Sequence, residues 1–220
     1  MSAEPTPHPH HPALKHHFDD LGQQHEASTL GMWAFLTTEI LFFGGLFFAY
    51  ALYRSTFHDA FIEASKFQNV KLGAINTVVL ILSSLTVALS VYFAQTNKRR
   101  ALIVMIILTM ILGSAFLVIK GIEYNEHFEH HLFPGKNFQF HAEHANPRHV
   151  EMFFVLYFCM TGLHASHMII GLGIYLWLLI KSWRGAFSSE YYTPVEVSGL
   201  YWHFVDIVWI FLFPLLYLIR

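Results

Sequence analysis

YWHFVDIVWIFLFPLLYLI, residues 201 to 219, sets an ionisable pair, His203 and Asp206, inside a run otherwise fit for lipid. A carboxyl group at membrane depth costs roughly 2.5 to 3.5 kcal/mol on insertion scales, so such a residue usually faces protein or water and has a function. Whether the run is a membrane span depends on the rest of the chain. Over 220 residues, 55% are hydrophobic and only 13% charged. An ordinary soluble domain carries about 25% charged residues, so the composition is that of a membrane protein.

A bilayer core about 30 Å thick needs about 20 apolar residues in a helix. Five stretches qualify: about 30–53, 72–95, 101–119, 152–180 and 197–219. The second and third contain no Asp, Glu, Lys or Arg, and the fourth none from Met152 to Ile180. The fold class that follows is all-α, a polytopic membrane helix bundle with five transmembrane helices. The fourth run exceeds the bilayer thickness and is expected to tilt or project. Small residues four apart, Gly45 and Ala49, Ser84 and Ala88, Gly162 and Ser166, mark faces where helices can approach closely.

Residues 1–28 read as a polar His- and Pro-rich N-terminal tail ahead of a five-helix domain, 29–220, with no secretory signal, second domain or internal repeat. A lone cysteine, Cys159, excludes an intrachain disulfide and a cysteine-rich metal site. The net charge of −2 argues against nucleic acid as a partner. The dense basic turn TNKRR, with Lys98, Arg99 and Arg100 beside two membrane ends, favours a cytoplasmic N-terminus and a periplasmic C-terminus. The loop from about 120 to 149 then lies outside.

Few ionisable groups fall within or beside the spans: Glu39 in the first, Glu123 just past the third, His164 and His167 in the fourth, His203 and Asp206 in the fifth. Glu39, flanked by Phe35, Phe42 and Phe43, suits a proton relay, and equally a neutral carboxylic acid hydrogen-bonded to a neighbouring helix or a lipid headgroup. His164 and His167, three apart on one helix face, invite a metal or haem reading, although hydrogen-bonded packing is the commoner role of such a pair. Trp202, Asp206 and Trp209 form a stripe, and an Asp accepting from a His or Trp ring would lock its helix to a neighbour. His127, His130, His131, His141, His144 and His149 crowd the external loop without a regular ligand spacing, so a solvated loop is expected there rather than a metal site.

TEILFFGGLFFAY (38–50), NTVVLILSS (76–84), GIEYNE (121–126), TGLHASHMIIG (161–171) and YWHFVDIVWIFLF (201–213) together resemble subunit III of the haem-copper oxidases, in that family's order and over roughly residues 25–219. Five spans make the chain similar to the family's five-helix bacterial form; seven-helix relatives carry two further helices that form one side of a lipid-filled cleft. The resemblance implies an accessory subunit in the bacterial inner membrane. Its main contact is subunit I, with subunit II and a small subunit IV nearby and a respiratory supercomplex as a wider setting. Bound phospholipid and support of proton uptake are implied as well. Glu39 matches the family's membrane carboxylate; Asn76, Glu123, His164, His167, Trp202, His203 and Asp206 match motif positions that imply a structural or lipid-contacting polar network.

No catalytic residue, metal site or cofactor is expected in this chain. One cysteine and three intramembrane His positions cannot assemble a two-cysteine copper centre or the ligands of two haems and a copper ion, so haems and copper belong to partner subunits. The expected complex oxidises cytochrome c. The alternatives are a quinol oxidase, a nitric-oxide-reductase-associated relative and an independent transporter; against the last stands the absence of broken helices or repeated halves.

Overall fold

The computed structural model describes residues 14–135, 138, 140 and 146–219. Six helices follow one another: α1 (Leu21–Thr56), α2 (His58–Ser65), α3 (Val70–Gln95), α4 (Arg99–Glu129), α5 (Pro147–Trp183) and α6 (Thr193–Tyr217). All but α2 are long and apolar enough to cross a membrane. Three of these, α1, α3 and α5, start where a side chain satisfies a free backbone N–H: Asp20 accepts from Gln23 N at 2.7 Å, Asn69 from Leu72 N, and Asn146 from Arg148 N ahead of Pro147. Gly185, at φ +74°, follows the end of α5 in the left-handed conformation open to glycine.

Two boundaries depart from the sequence reading. The tail boundary expected at residue 29 falls inside α1, which begins at Leu21. The third span was expected to stop at 119, but α4 runs on to Glu129, so Glu123 and His127 lie in the bundle rather than in a loop. At 1.5 Å per residue, α1 and α5 extend to about 55 Å, well beyond a 30 Å core.

The bundle is apolar outside, and inside it sets small and polar residues among buried aromatic and aliphatic ones. On α3 the buried positions are Gly73, Asn76, Leu80, Ser83, Val87, Ser90 and Ala94; on α4 they are Leu102, Ile106, Thr109, Gly113, Phe116, Lys120, Glu123 and His127. Both sets alternate three- and four-residue steps, the 3.5-residue repeat of helices that pack along a continuous seam. Lipid tails are as apolar as Leu, so the large aliphatic residues gain nothing by turning inward. Close approach and internal hydrogen bonds hold the helices instead. Ile81, Leu85, Ile111 and Val118 accordingly face outward.

Helix α6 is the centre. More than half of its most apolar window is buried, against less than a third in the other spans, and it packs on α3, α5 and α1. Trp202 lies against Gly113 of α4 and Gly171 of α5, where an added Cβ would sit 2.8 and 3.0 Å from its ring. These two glycines and Gly73 of α3, against Phe213, make the close approaches, whereas Gly45 faces open space and Ser166 is exposed, so the expected pairs Gly45/Ala49 and Gly162/Ser166 are not packing seams among the described residues. The short helix α2 buries Phe61 edge-on to Phe153 and Tyr50. Ser65 Oγ donates to Ile219 O at 2.6 Å, and the Tyr50 hydroxyl to Leu215 O, which fastens the chain beyond α6.

Candidate functional site

The polar residues of the interior fall into three groups. The first joins α1 to α5. His167 Nδ1 lies 2.9 Å from Leu163 O, and its Nε2 lies 3.1 Å from Glu39 Oε2. A carbonyl can only accept, so Nδ1 carries hydrogen. The Nε2 contact is then a hydrogen bond only when the pair holds a further proton, on the ring or on the carboxyl. A proton held there would be shared between Glu39 on α1 and His167 on α5. Phe43 lies edge-on to the imidazole at 5.3 Å, and Tyr201 OH donates to His167 O at 2.9 Å.

The second group ties α6 to α3. Trp202 Nε1–H donates to Ser83 Oγ at 2.9 Å, Trp209 Nε1–H donates to Thr77 Oγ1 at 3.1 Å, and His203 Nδ1 meets Ser84 Oγ at 2.7 Å. The expected pairing of Asp206 with a His or Trp ring does not form. All three rings, Trp202, His203 and Trp209, reach across to α3, and the carboxyl oxygens of Asp206 have no hydrogen-bond partner among the described residues; Ser84 lies beside them, outside hydrogen-bond geometry. Through Trp202, His203 and Trp209 the motif fixes α6 to α3, while Tyr201 ties it to the helix of His167. Three spots of small hydroxyl residues on α3 explain the choice, because they let indole and imidazole rings reach a partner without leaving the interior.

His164 and His167 do not act together. His164 is 1% exposed, lies 5.3 Å from the rings of both Phe116 and Trp209, and has no hydrogen-bond partner in the chain for either nitrogen. A three-residue step turns a helix by about 300°, enough to send the two rings to different neighbours. Asn76 is likewise buried on the α3 seam with its amide unpaired. Among the described residues no three His, Cys, Asp or Glu side chains converge on a metal position. Of the external histidines, His127 is buried and meets Gln68 Oε1 at 3.1 Å, His149 stacks on Phe57 at 3.9 Å, and His141 and His144 lie outside the described residues.

The third group includes residues that the sequence reading passed over. Lys120 Nζ donates to Glu123 Oε1 at 3.2 Å, to Tyr157 OH at 2.9 Å and to Tyr217 OH. Both tyrosine hydroxyls in turn donate to Glu123 Oε1, Tyr157 at 2.6 Å. This closed set spans α4, α5 and α6, and Lys120 and Glu123 are 3% and 0% exposed. The signal in the sequence was a Lys and a Glu three apart, which read as the edge of a span. Tyr157 and Tyr217 carried no signal apart from their place in apolar runs.

These features define a class: a multi-pass bundle whose buried polar side chains bridge neighbouring helices, with Glu39 and His167 facing each other between α1 and α5. The family model described as cytochrome c oxidase subunit III matches residues 143–219. The probable quinol oxidase subunit 3 of Staphylococcus haemolyticus is 31% identical over 203 residues, covering 91% of this chain and 93% of that protein. The quinol oxidase subunit 3 of Bacillus spizizenii and that of Bacillus subtilis are each 30% identical over 189 residues, covering 86% of this chain and 85% of theirs. The chain belongs to the haem-copper oxidase subunit III family and is a multi-pass bacterial membrane protein. As a member it is an accessory subunit of an oxidoreductase complex whose haems and copper lie in other subunits.

Proposed function

We propose that this chain is subunit III of a proton-pumping terminal oxidase that takes its electrons from quinol. The observation that carries the donor is that relatives at 30 to 31% identity, matched over most of both chains, are named quinol oxidase subunit 3. This replaces the cytochrome c donor expected from the motifs, for which the description of the family model is the remaining support. The chain takes part without redox chemistry of its own: it braces subunit I, the main contact, with subunit II and a small subunit IV beside it, and contacts phospholipid along its apolar exterior.

Glu39 is proposed as the residue that links the chain to proton uptake, because its carboxyl and His167 together hold one proton at membrane depth. Glu123, Trp202 and His203 then serve as the internal polar framework, with Asn76, His164 and Asp206 as buried polar positions beside it. The N-terminus is placed in the cytoplasm. Arg99 donates to the carbonyls of Ser182 and Trp183, which gathers Lys98, Arg99, Arg100, Lys181 and Arg184 at one end of the bundle, as a cytoplasmic face requires.

The test is to purify the complex through a tag on this chain in mild detergent and to measure oxygen consumption with a quinol and with reduced cytochrome c. Co-purifying haem with quinol-driven turnover and copper confined to the oxygen-reducing centre is the expected result. Turnover with cytochrome c and a second copper centre would restore the other donor.

A further inference from the structure

A groove of about 430 Å³ opens sideways between α3 and α6, with Ser84, Ala88, His203 and Asp206 among its lining residues. Its rim is aliphatic: Ile81, Leu85, Ile207 and Ile210 are each about half exposed. Asp206 itself is 4% exposed, and its two carboxyl oxygens have no hydrogen-bond partner among the described residues. Ser84 and Ala88, one turn apart, keep the α3 side of the groove shallow enough for another backbone to come close.

Depth decides what can fill it. Asp206 lies thirteen residues beyond Thr193 and eleven short of Tyr217, about 20 and 16 Å along α6 from either end. Ser84 stands at a similar midpoint of α3. Phospholipid headgroups at the bilayer surfaces are about 15 Å away from the midplane, and acyl chains carry no hydrogen-bond donor. A lipid tail in the groove would leave a carboxyl unpaired in hydrocarbon, which is strongly unfavourable.

We infer that this groove is a docking surface for a transmembrane helix of a neighbouring oxidase subunit, which lays a hydrogen-bond donor, such as a hydroxyl, amide or indole, against Asp206 at mid-membrane. The inference rests on the chain being a subunit of a larger oxidase. It adds the face, the depth and the chemistry of the contact.

The test is done in the assembled complex. A photo-crosslinking residue at Ile210, on the rim, is expected to join this chain to a larger subunit. Asp206→Leu, which leaves no acceptor, is expected to lower retention of the chain on the haem-bearing subunits roughly tenfold under detergent challenge, the size of one lost hydrogen bond. Asp206→Asn keeps an acceptor and is expected to stay within about threefold. Ala88→Leu, which breaks no hydrogen bond in the chain and fills the groove, is expected to detach it as Asp206→Leu does. It decides the matter should Asp206→Leu fail to reach the membrane.

Crosslinks to lipid alone, or Ala88→Leu retained as firmly as the unaltered chain, overturn the docking surface while leaving the family-based function standing. An unaltered chain that purifies without haem overturns both.

Discussion

Consider replacing Lys120 by Met. The ammonium group spends its three hydrogens on Glu123 and on two tyrosine hydroxyls, and it lies 4.8 to 5.5 Å from the ring centres of Tyr124, Tyr157, Trp209 and Tyr217. Without it the Glu123 carboxyl remains wholly buried, held at Oε1 by two tyrosines and at Oε2 by nothing in the chain. Breaking one partner of a buried ion pair costs about 3 to 5 kcal/mol, because the other charge is left uncompensated. Taking the lower end, the ratio of folded to unfolded chain should fall by roughly a hundredfold. The double variant Lys120→Met with Glu123→Leu removes both charges and is expected to recover to within about 1 kcal/mol. Denaturant titration of the complex in lipid bicelles, followed by near-ultraviolet circular dichroism, would read both variants against the parent. A single variant as stable as the parent, or a double variant no better than the single, refutes the idea that this set is a charge-compensated lock.

Gly113→Ala should cost about 1 to 3 kcal/mol, since the new Cβ would meet the Trp202 ring at 2.8 Å, and Trp202→Phe in the same chain should relieve part of it; thermal inactivation of the complex measures both. Thr77→Val leaves the Trp209 N–H buried and unpaired and should cost about 1 to 3 kcal/mol, whereas adding Trp209→Phe should cancel most of the loss in a double-mutant cycle. Glu39→Leu and His167→Leu should each slow proton-coupled turnover without moving the haem bands, and the two together should be no worse than either. Additive losses would show that Glu39 and His167 do not hold their proton jointly.

Hydropathy alone found all five spans, because a helix in lipid must be apolar along its exposed faces. It misjudged their ends for the same reason. A window closes where charge appears, so Lys120 and Glu123 read as the edge of a span although they are neutralised by each other inside it. Helix α2 is too short and too mixed to raise a window at all. Spacing along one helix brought His203 and Asp206 together in the reading, yet the partner of each ring was decided by Ser83, Ser84 and Thr77 on another helix. Glu39 was found, but its partner was not. A contact between residues 128 positions apart leaves no periodic trace in one sequence. The 3.5-residue repeat of small and polar residues along the α3 seam went unread, because taking hydrophobic residues as the inward face hides such a repeat in a membrane chain.

The central place of α6 bears on how the protein is made. Its indoles and imidazole complete the hydrogen bonds of α3, and its tyrosine caps the lock built on α4 and α5, yet it is translated after every helix it organises. Until it arrives, Ser83, Thr77 and Lys120 stand in the membrane without the partners they will have. The nascent bundle is therefore a half-built vessel that needs shielding by the insertion machinery or by a sister subunit. Quality control that senses polar groups left bare in lipid would act on this chain in that interval.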